Sequence, residues 1–241
     1  MRELPYIIMN GKSSLDFDMI IANQSKYDSP ENDMEQIEVM GRDGVLLVDN
    51  DRLKPVKRSL PFSIKIPYDR KIDISLRETE ISEWLSAKGW QNLFMSWDPD
   101  YNYRVAIIEG FELTETVKWF GKGIIELLVH PIKYLKSGQI TIDIANGTSI
   151  YNPTKRPSEP TYFLTGTGNV TVTINNKQMI FKNITNGITV DVEQKTVTYI
   201  NQSHYDKMYS DFVLLEPGQN KITWDNTNFK LKIFPNWGVR L

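Results

Sequence analysis

The stretch GITVDVEQKTVTYI, residues 187–200, contains two short runs, Gly187–Val192 and Thr196–Ile200, in which apolar residues alternate with polar ones. Alternation with a period of two is typical of a strand that buries one face, and β-branched and aromatic residues favour such a surface. The same pattern recurs at Ser59–Pro67, Arg104–Phe111, Gly123–His130, Val170–Ile174 and Phe229–Phe234. Turn-forming pairs such as Asn175-Asn176 and Asn186-Gly187 lie at the ends of these runs. The sequence therefore predicts a mainly β protein.

One helix is predicted within this β background. Ser75 and Glu78 have the spacing of a capping box, in which a side chain at each position bonds the backbone of the other. The apolar residues that follow fall on one helical face: Leu76, Ile81, Trp84 and Leu85. Gly89 provides a stop, so we predict a helix of about ten to twelve residues.

A change of pattern near Ser137 and Gly138 predicts a domain boundary. An apolar strand ends just before it, and a new alternating run begins just after it. We predict two β-sandwich-like domains, residues 1–137 with the single helix and residues 138–241. The stretch Asn146–Pro160 is rich in Asn, Pro, Ser and Thr, which predicts an extended loop inside the second domain.

The composition argues against several classes of protein. The chain has 241 residues, 40% of them hydrophobic, and a formal net charge of −2, which indicates a folded protein. It has no cysteine, which excludes disulfides and thiolate metal sites. We expect no sequence-specific nucleic-acid contact, because no dense basic stripe is present. We expect no membrane partner, because no apolar run approaches the roughly 18 residues that span a bilayer. The acidic third residue and the short apolar stretch after it predict no signal peptide.

No catalytic, cofactor-binding or metal-binding residue is predicted. The stretch Asp98–Glu109 places acidic and amide side chains at several positions of an EF-hand loop, but Tyr103 occupies the position where the sharp turn needs glycine. We expect a hairpin turn there, with solvated carboxylates. No phosphate-binding glycine loop and no nucleophile elbow is present. The chain has two histidines. We expect a structural role for His130 and a solvated position for His204.

Four aromatic residues lie close together near the C-terminus: Trp224, Phe229, Phe234 and Trp237. Exposed aromatic rings beside Asn and Asp would suit a carbohydrate groove. In a small β-sandwich, however, most such rings fill the core, and we expect that position for these four.

The order of short motifs along the chain is more informative than any single site. It runs through Asn10-Gly11, Leu15-Asp16, the Gly41-Arg42-Asp43-Gly44 turn, the helix ending in Trp84-Leu85, the Trp97–Tyr101 turn, Trp119–Gly123, Pro131–Tyr134, Pro157–Thr161, Gly166–Gly168, Leu215–Asn220 and Pro235–Trp237. This order resembles that of the distal tail protein family of long-tailed, non-contractile phages and prophages of Gram-positive bacteria. The resemblance covers nearly the whole chain.

The resemblance implies an N-terminal β domain that assembles six copies into a ring, and a galectin-like β-sandwich as the C-terminal domain. It implies a structural component of the virion tail tip, made in the cytoplasm of the bacterial host. The implied partners are further copies of the chain, the major tail-tube protein, and tail-associated tip, fibre or receptor-binding proteins. Some relatives carry inserted carbohydrate-binding modules, for which a chain of 241 residues has no room.

Two other functions stay open. One is a carbohydrate-binding β-sandwich module that recognises the host cell surface, and the other is a β-sandwich glycoside hydrolase, since paired carboxylates meet only in the fold.

The resemblance also implies that residues 1–135 carry the ring contacts, and the composition of this half is compatible with that role. It contains the long polar excursion Asn23–Gln36, whose composition cannot form a core of its own. A closed ring needs two different patches that meet head to tail, and a strand-rich domain with a projecting segment offers both. Gly41 and Gly44 are expected to have positive φ angles in a tight reversal.

Overall fold

A computed structural model describes residues 4–22, 28–70 and 72–241. The chain divides into two compact units, residues 1–133 together with 240–241, and residues 134–239. The proposed domain boundary at residue 137 and the distinct roles of the two domains stay predictions.

The first unit is built on an antiparallel sheet with the strand order β2-β1-β7-β8-β10-β6-β3, and β9 pairs with the outer part of β10. A separate two-stranded hairpin consists of β4 and β5. The strands up to the end of this unit are β1 Ile7–Met9, β2 Lys12–Ser13, β3 Met19–Ile21, β4 Asn32–Glu38, β5 Val45–Leu53, β6 Val56–Lys65, β7 Gln91–Met95, β8 Tyr101–Ala106, β9 Glu112–Val117, β10 Phe120–Val129 and β11 Ile132–Leu135.

The central pair of this sheet is β6 and β10, which align over their full lengths. Leu60 lies opposite Ile125, and both side chains are buried. Phe62 lies opposite Gly123, where the missing side chain leaves room for the phenyl ring. This pairing supplies the centre of the first hydrophobic core.

Helix α1 spans Ile74–Leu85 and is the one α-helix of the described residues. Its N-cap is Asp73, whose carboxylate accepts a hydrogen bond from the Leu76 amide at 3.1 Å, so the prediction of Ser75 as the cap was wrong. The predicted apolar face is confirmed for Ile81, Trp84 and Leu85. Leu76 is exposed instead, because at 3.6 residues per turn it lies about 140° around the helix from Ile81 and about 180° from Leu85.

Trp84 anchors the helix to the sheet. Its indole Nε1 donates a hydrogen bond to the Met9 carbonyl at 2.8 Å, and Phe17 stacks on its ring with centroids 4.9 Å apart. The polar end of the buried indole is thereby satisfied.

The second unit contains two antiparallel sheets, with strand orders β12-β21-β14-β17-β18-β19 and β13-β20-β15-β16. Its strands are β12 Ile142–Ile144, β13 Ser149–Asn152, β14 Thr161–Thr165, β15 Gly168–Ile174, β16 Lys177–Ile184, β17 Gly187–Asp191, β18 Thr196–Tyr199, β19 Gln202–Ser203, β20 Gly218–Trp224 and β21 Lys230–Phe234. A last strand, β22 Gly238–Arg240, belongs to neither of these two sheets. Short 3₁₀ turns occur at Ser14–Phe17, Lys136–Gly138 and Tyr205–Lys207.

The two sheets of the second unit share one hydrophobic core. Tyr162 and Val190 come from one sheet, Val172 and Ile222 from the other, and all four belong to a single buried cluster. Burial raises the pKa of the Tyr162 phenol well above its usual value, and its hydroxyl donates to the Val213 carbonyl at 2.9 Å. The alternating runs of this half therefore form a β-sandwich.

The predicted fold class, mainly β with a single helix, is confirmed. The strand predicted at Arg104–Phe111 is too long, because β8 ends at Ala106. The other predicted strands shift by a few residues at their ends. The galectin-like character of the second unit stays a prediction.

Candidate assembly surface

The hairpin formed by β4 and β5 exposes an unusual number of apolar side chains. Its strands and turn, residues 32–53, carry eight exposed large hydrophobic residues, namely Met34, Ile37, Val39, Met40, Val45, Leu46, Leu47 and Val48. Met40, in the turn, is fully exposed. A two-stranded hairpin is marginally stable in water by itself, and a contiguous exposed apolar surface marks an interaction site.

The strand register distributes these apolar groups over both faces of the hairpin. Ile37 lies opposite Leu46 on one face, and Gln36 lies opposite Leu47 on the other. Side chains on both faces are exposed, so neither face packs on the core of the first unit. The hairpin therefore presents two partly apolar faces to solvent.

Positive φ angles shape the turn of the hairpin, and ion pairs hold its base. Gly41 and Gly44 have φ angles of 78° and 80°, which confirms the predicted tight reversal. At the base, Arg52 Nε lies 2.5 Å from a carboxylate oxygen of Asp33, and Lys54 Nζ lies 3.6 Å from the other oxygen. The hydrogen bond from Arg52 is the main cause of a lowered pKa at Asp33.

The polar excursion predicted at Asn23–Gln36 is only partly described, because residues 23–27 lie outside the described residues. Its second part is not a loop as predicted, since residues 32–36 belong to β4. The excursion has no core because the hairpin exposes both of its faces. In the sequence, the sign of this exposed segment was that its apolar residues do not alternate as they do in a strand with one buried face.

A second exposed feature of the first unit is a pair of aromatic rings. Tyr68 follows β6 and is 88% exposed, and Trp119 lies in the β9–β10 turn and is 45% exposed. Their ring centroids are 5.7 Å apart and their planes are nearly perpendicular, at 86°. Arg70, Lys118 and Asp73 line the same cleft, whose volume is about 390 Å³.

Backbone hydrogen bonds join the two segments that carry this aromatic pair. The Ile66 amide donates to the Trp119 carbonyl at 2.9 Å, and the Ile74 amide donates to the Lys118 carbonyl at 3.3 Å. These two hydrogen bonds therefore fix the backbone that carries Tyr68 and Trp119. Sequence reasoning missed Tyr68 because nothing in the sequence pattern marks it as exposed.

The stretch Asp98–Glu109 forms the predicted turn, followed by β8. Its acidic side chains take separate partners. Asp98 accepts hydrogen bonds from the Tyr103 hydroxyl and from Lys133 Nζ, the latter at 2.6 Å, whereas Glu109 lies 3.3 Å from Lys57 Nζ. Asp98 is therefore ion-paired rather than simply solvated, which corrects the expectation for that carboxylate.

The two histidines occupy different settings. His130 Nδ1 lies 3.2 Å from the Ile132 carbonyl oxygen, and its ring meets Trp90 edge to face. His204 is half-buried beside Tyr199, with ring centroids 6.2 Å apart, so its ring is partly solvated. Within the described ranges, no group of three or more His, Asp or Glu residues is close enough to hold a metal ion.

The aromatic residues near the C-terminus belong to the core, as expected for most of them. Trp224, Phe229 and Trp237 are buried, and Phe234 is half-buried. The Trp224 indole donates to the Phe229 carbonyl at 3.2 Å. These rings therefore offer no carbohydrate platform.

No helix in the part of the chain that the structure describes is long and apolar enough to cross a membrane.

Comparison with solved structures identifies the architecture. The Dit protein of phage SPP1, described as a paradigm of the hub adsorption apparatus in phages that infect Gram-positive bacteria, matches with a TM-score of 0.73. The match covers 96% of this chain and 98% of that chain at 14% sequence identity. The chain has the fold of a phage tail hub protein. A chain of the phage P2 baseplate in its activated, Ca-containing conformation also matches, with a TM-score of 0.53, 11% identity, and coverage of 96% and 98% of the two chains.

No protein-family model matches the chain, and no curated protein is significantly similar to it. The resemblance to the distal tail protein family is confirmed at the level of the fold.

Proposed function

We propose that this protein is a structural component of a phage tail tip, in which six copies form a ring that joins the tail tube to the tail-associated tip or baseplate proteins. The observation that carries the proposal is the match to the hub protein Dit, which extends over 96% of the chain and so includes both compact units. The protein would act in the virion, after synthesis in the host cytoplasm, through protein contacts and without catalysis.

The hairpin gives the proposed ring a physical basis. A monomer that exposes eight large hydrophobic residues on one two-stranded element would gain by covering them, since each Å² of apolar surface removed from water contributes about 25 cal/mol. A neighbouring copy is the partner that a homomeric ring supplies. The proposed ring contacts therefore lie in the first unit.

The proposed partners follow from the position of a hub. One side of the ring would contact the major tail-tube protein, and the other the tip, fibre or receptor-binding proteins. The second unit, a β-sandwich with its own core, is the part proposed to project from the ring.

Sedimentation velocity over a concentration series tests the ring, combined with negative-stain electron microscopy. We expect a species of six chains, of 27.9 kDa each, that appears as a closed ring at high concentration. Labelling of virions with an antibody against the chain tests the location, and the label is expected at the distal end of the tail. A protein that stays monomeric at every concentration, or an antibody that labels the capsid, would contradict the proposal.

A further inference from the structure

The sheet of the first unit has a cleft on its outer face, at β1, β7 and β8. Successive side chains of a strand lie on opposite faces of a sheet. Leu93 and Met95 of β7 are buried in the core, so Asn92 and Phe94 lie on the outer face. Trp90, two residues before Asn92, shares that face and is 47% exposed.

The neighbouring strands complete this outer face. Asn102 of β8 lies opposite Phe94, and Ile8 of β1 lies opposite Phe94 on its other side. Asn10 follows β1 in the turn to β2. We call this surface the amide cleft, and its defining side chains are Ile8, Asn10, Trp90, Asn92, Phe94 and Asn102. Its volume is about 400 Å³, which is within the range of small-molecule sites, and none of the residues that line it is charged.

Three amide side chains of the cleft are available to a ligand. Among the described residues, none is hydrogen-bonded to the side chain of Asn10, Asn92 or Asn102, and these amides are open to solvent. Gln91 differs, because its Nε2 donates to the Lys88 carbonyl at 2.8 Å. An amide side chain both donates and accepts hydrogen bonds, so the three together offer a ligand both kinds of partner.

Two aromatic rings flank Asn92 on the same face. Trp90 and Phe94 are four residues apart, which corresponds to roughly 13 Å along an extended strand. The Trp90 ring meets His130 edge to face with centroids 5.4 Å apart, and Phe94 contacts the Tyr6 ring at 6.2 Å. These contacts hold the rings in place before a ligand arrives, which lowers the entropic cost of binding.

An uncharged cleft of aromatic rings and amides suits a neutral saccharide. A sugar ring has C–H faces that pack on aromatic rings, and its hydroxyl groups donate and accept hydrogen bonds as amides do. A nucleic acid or another polyanion would require cations, and the residues that line the cleft include none. A peptide strand would require free backbone groups, but β7 is already paired with β1 on one side and β8 on the other.

We propose that the amide cleft binds a neutral oligosaccharide, with one sugar ring packed on Trp90 and its hydroxyl groups bonded to Asn92 and Asn102. This binding function goes beyond the structural role, because it gives the first unit a direct contact with uncharged glycans. Each copy of the chain carries the whole cleft. A single chain is therefore expected to bind without assembly.

Isothermal titration calorimetry of the full chain tests the site with four neutral probes, namely maltotetraose, cellotetraose, galactotetraose and tetra-N-acetylchitotetraose. We expect at least one of them to bind with a Kd of about 1 mM or tighter. Tetragalacturonate, an anionic probe, is expected to bind at least about tenfold more weakly than the best neutral probe, because the cleft offers no cation.

Paired substitutions locate the binding. Trp90→Ala is expected to weaken binding of the best probe at least about tenfold, whereas Trp119→Ala removes a ring of similar exposure from a different cleft and should leave binding unchanged. Asn92→Ala is expected to weaken binding about three- to tenfold, and Asn176→Ala, in a turn of the second unit, is its control. Asn92 is exposed, so this variant keeps the test valid if Trp90→Ala fails to fold, which circular dichroism reports.

The outcomes separate this site from the proposed ring. A full chain that binds none of the four neutral probes with a Kd near about 1 mM would overturn the site, whether or not it sediments as a hexamer. Sugar binding that survives both Trp90→Ala and Asn92→Ala would lie elsewhere and would also overturn it. Hexamers that are lost in Trp90→Ala, without sugar binding by the unaltered chain, would assign the cleft to a contact between copies instead. A chain that binds a probe through the cleft but stays monomeric would overturn the ring alone.

Discussion

The guanidinium of Arg77 lies 2.7 Å from a carboxylate oxygen of Asp18, and each side chain is at most 10% exposed. Arg77 also contacts Glu80 at 2.5 Å, and Arg70 reaches Asp18 at 2.9 Å. Burial opposes the charged form of Arg77, but the bonds to Glu80 and Asp18 outweigh it and raise the pKa of Arg77. Helix α1, the residue before β3 and the loop that carries Arg70 are therefore joined through one ionic cluster.

Asp18→Asn is expected to destabilise the protein by about 2–3 kcal/mol, because it leaves the buried Arg77 with only the partly exposed Glu80 as a countercharge. Asn tolerates the left-handed backbone of this position, where φ is 54°, so the change removes the charge and one acceptor oxygen without straining the backbone. Urea denaturation followed by tryptophan fluorescence measures the loss.

The matched control for Asp18 is an exposed ion pair. Lys177 and Glu216 lie 2.9 Å apart with side chains 60% and 41% exposed, so Glu216→Gln should change stability by less than about 1 kcal/mol. Equal effects of the two variants would show that burial of the Arg77 cluster has no energetic importance.

Gly123→Ala is expected to destabilise the first unit by about 1–3 kcal/mol through overpacking. A Cβ at this position would lie 2.4 Å from Phe62 Cζ and 2.1 Å from the Glu112 carbonyl oxygen, and the backbone oxygen cannot move away without shifting β9. Gly110→Ala is the control, because a Cβ there meets nothing within 4 Å. Thermal denaturation of both variants decides the matter, and a tolerated Gly123→Ala would refute the packing argument.

The sequence predicted most strands because a strand with one buried face alternates visibly. The same reasoning failed where burial does not alternate. Residues 32–53 expose both faces, so their hairpin had no such pattern and was read in part as a polar loop. The strand from Arg104 was extended to Phe111 because apolar residues continue, but β8 ends at Ala106, where its pairing with Leu128 of β10 also ends.

Features that depend on contacts between residues distant in the sequence could not be predicted from sequence patterns. The choice of Asp73 over Ser75 as helix cap depends on where the preceding loop enters the helix, and both residues can accept the same hydrogen bond. The exposure of Tyr68 and Trp119 depends on the register of β6 with β10. The pattern of neighbouring residues in the sequence does not indicate these relationships.

Ile200→Asn is expected to stabilise the second unit by about 1 kcal/mol, because a β-branched residue in the left-handed region is strained. Ile200 has a φ of 47° in the turn between β18 and β19, next to Asn201 at 59°. Its side chain is 77% exposed, so little packing is lost.

Ile140→Asn provides the comparison for Ile200. Ile140 is also exposed, at 63%, and its φ angle is not positive, so the substitution should bring no gain in melting temperature. A gain at both positions would attribute the effect to surface polarity rather than to relief of strain.

The last prediction locates self-association in the first part of the chain. We expect fragment 1–137 to retain oligomerisation, because it contains the hairpin with its exposed apolar side chains. Fragment 138–241 is expected to be a folded monomer, because its two sheets bury a core of their own. Arg240 and Leu241 belong to the first unit, where the Leu241 amide donates to the Pro131 carbonyl at 2.9 Å. Fragment 1–137 should therefore melt at a lower temperature than the same unit in the full chain.

Light scattering over a concentration series measures the mass of each fragment, with the full chain as reference. Hexamers of 138–241 beside a folded, monomeric 1–137 would reverse the roles assigned to the two parts.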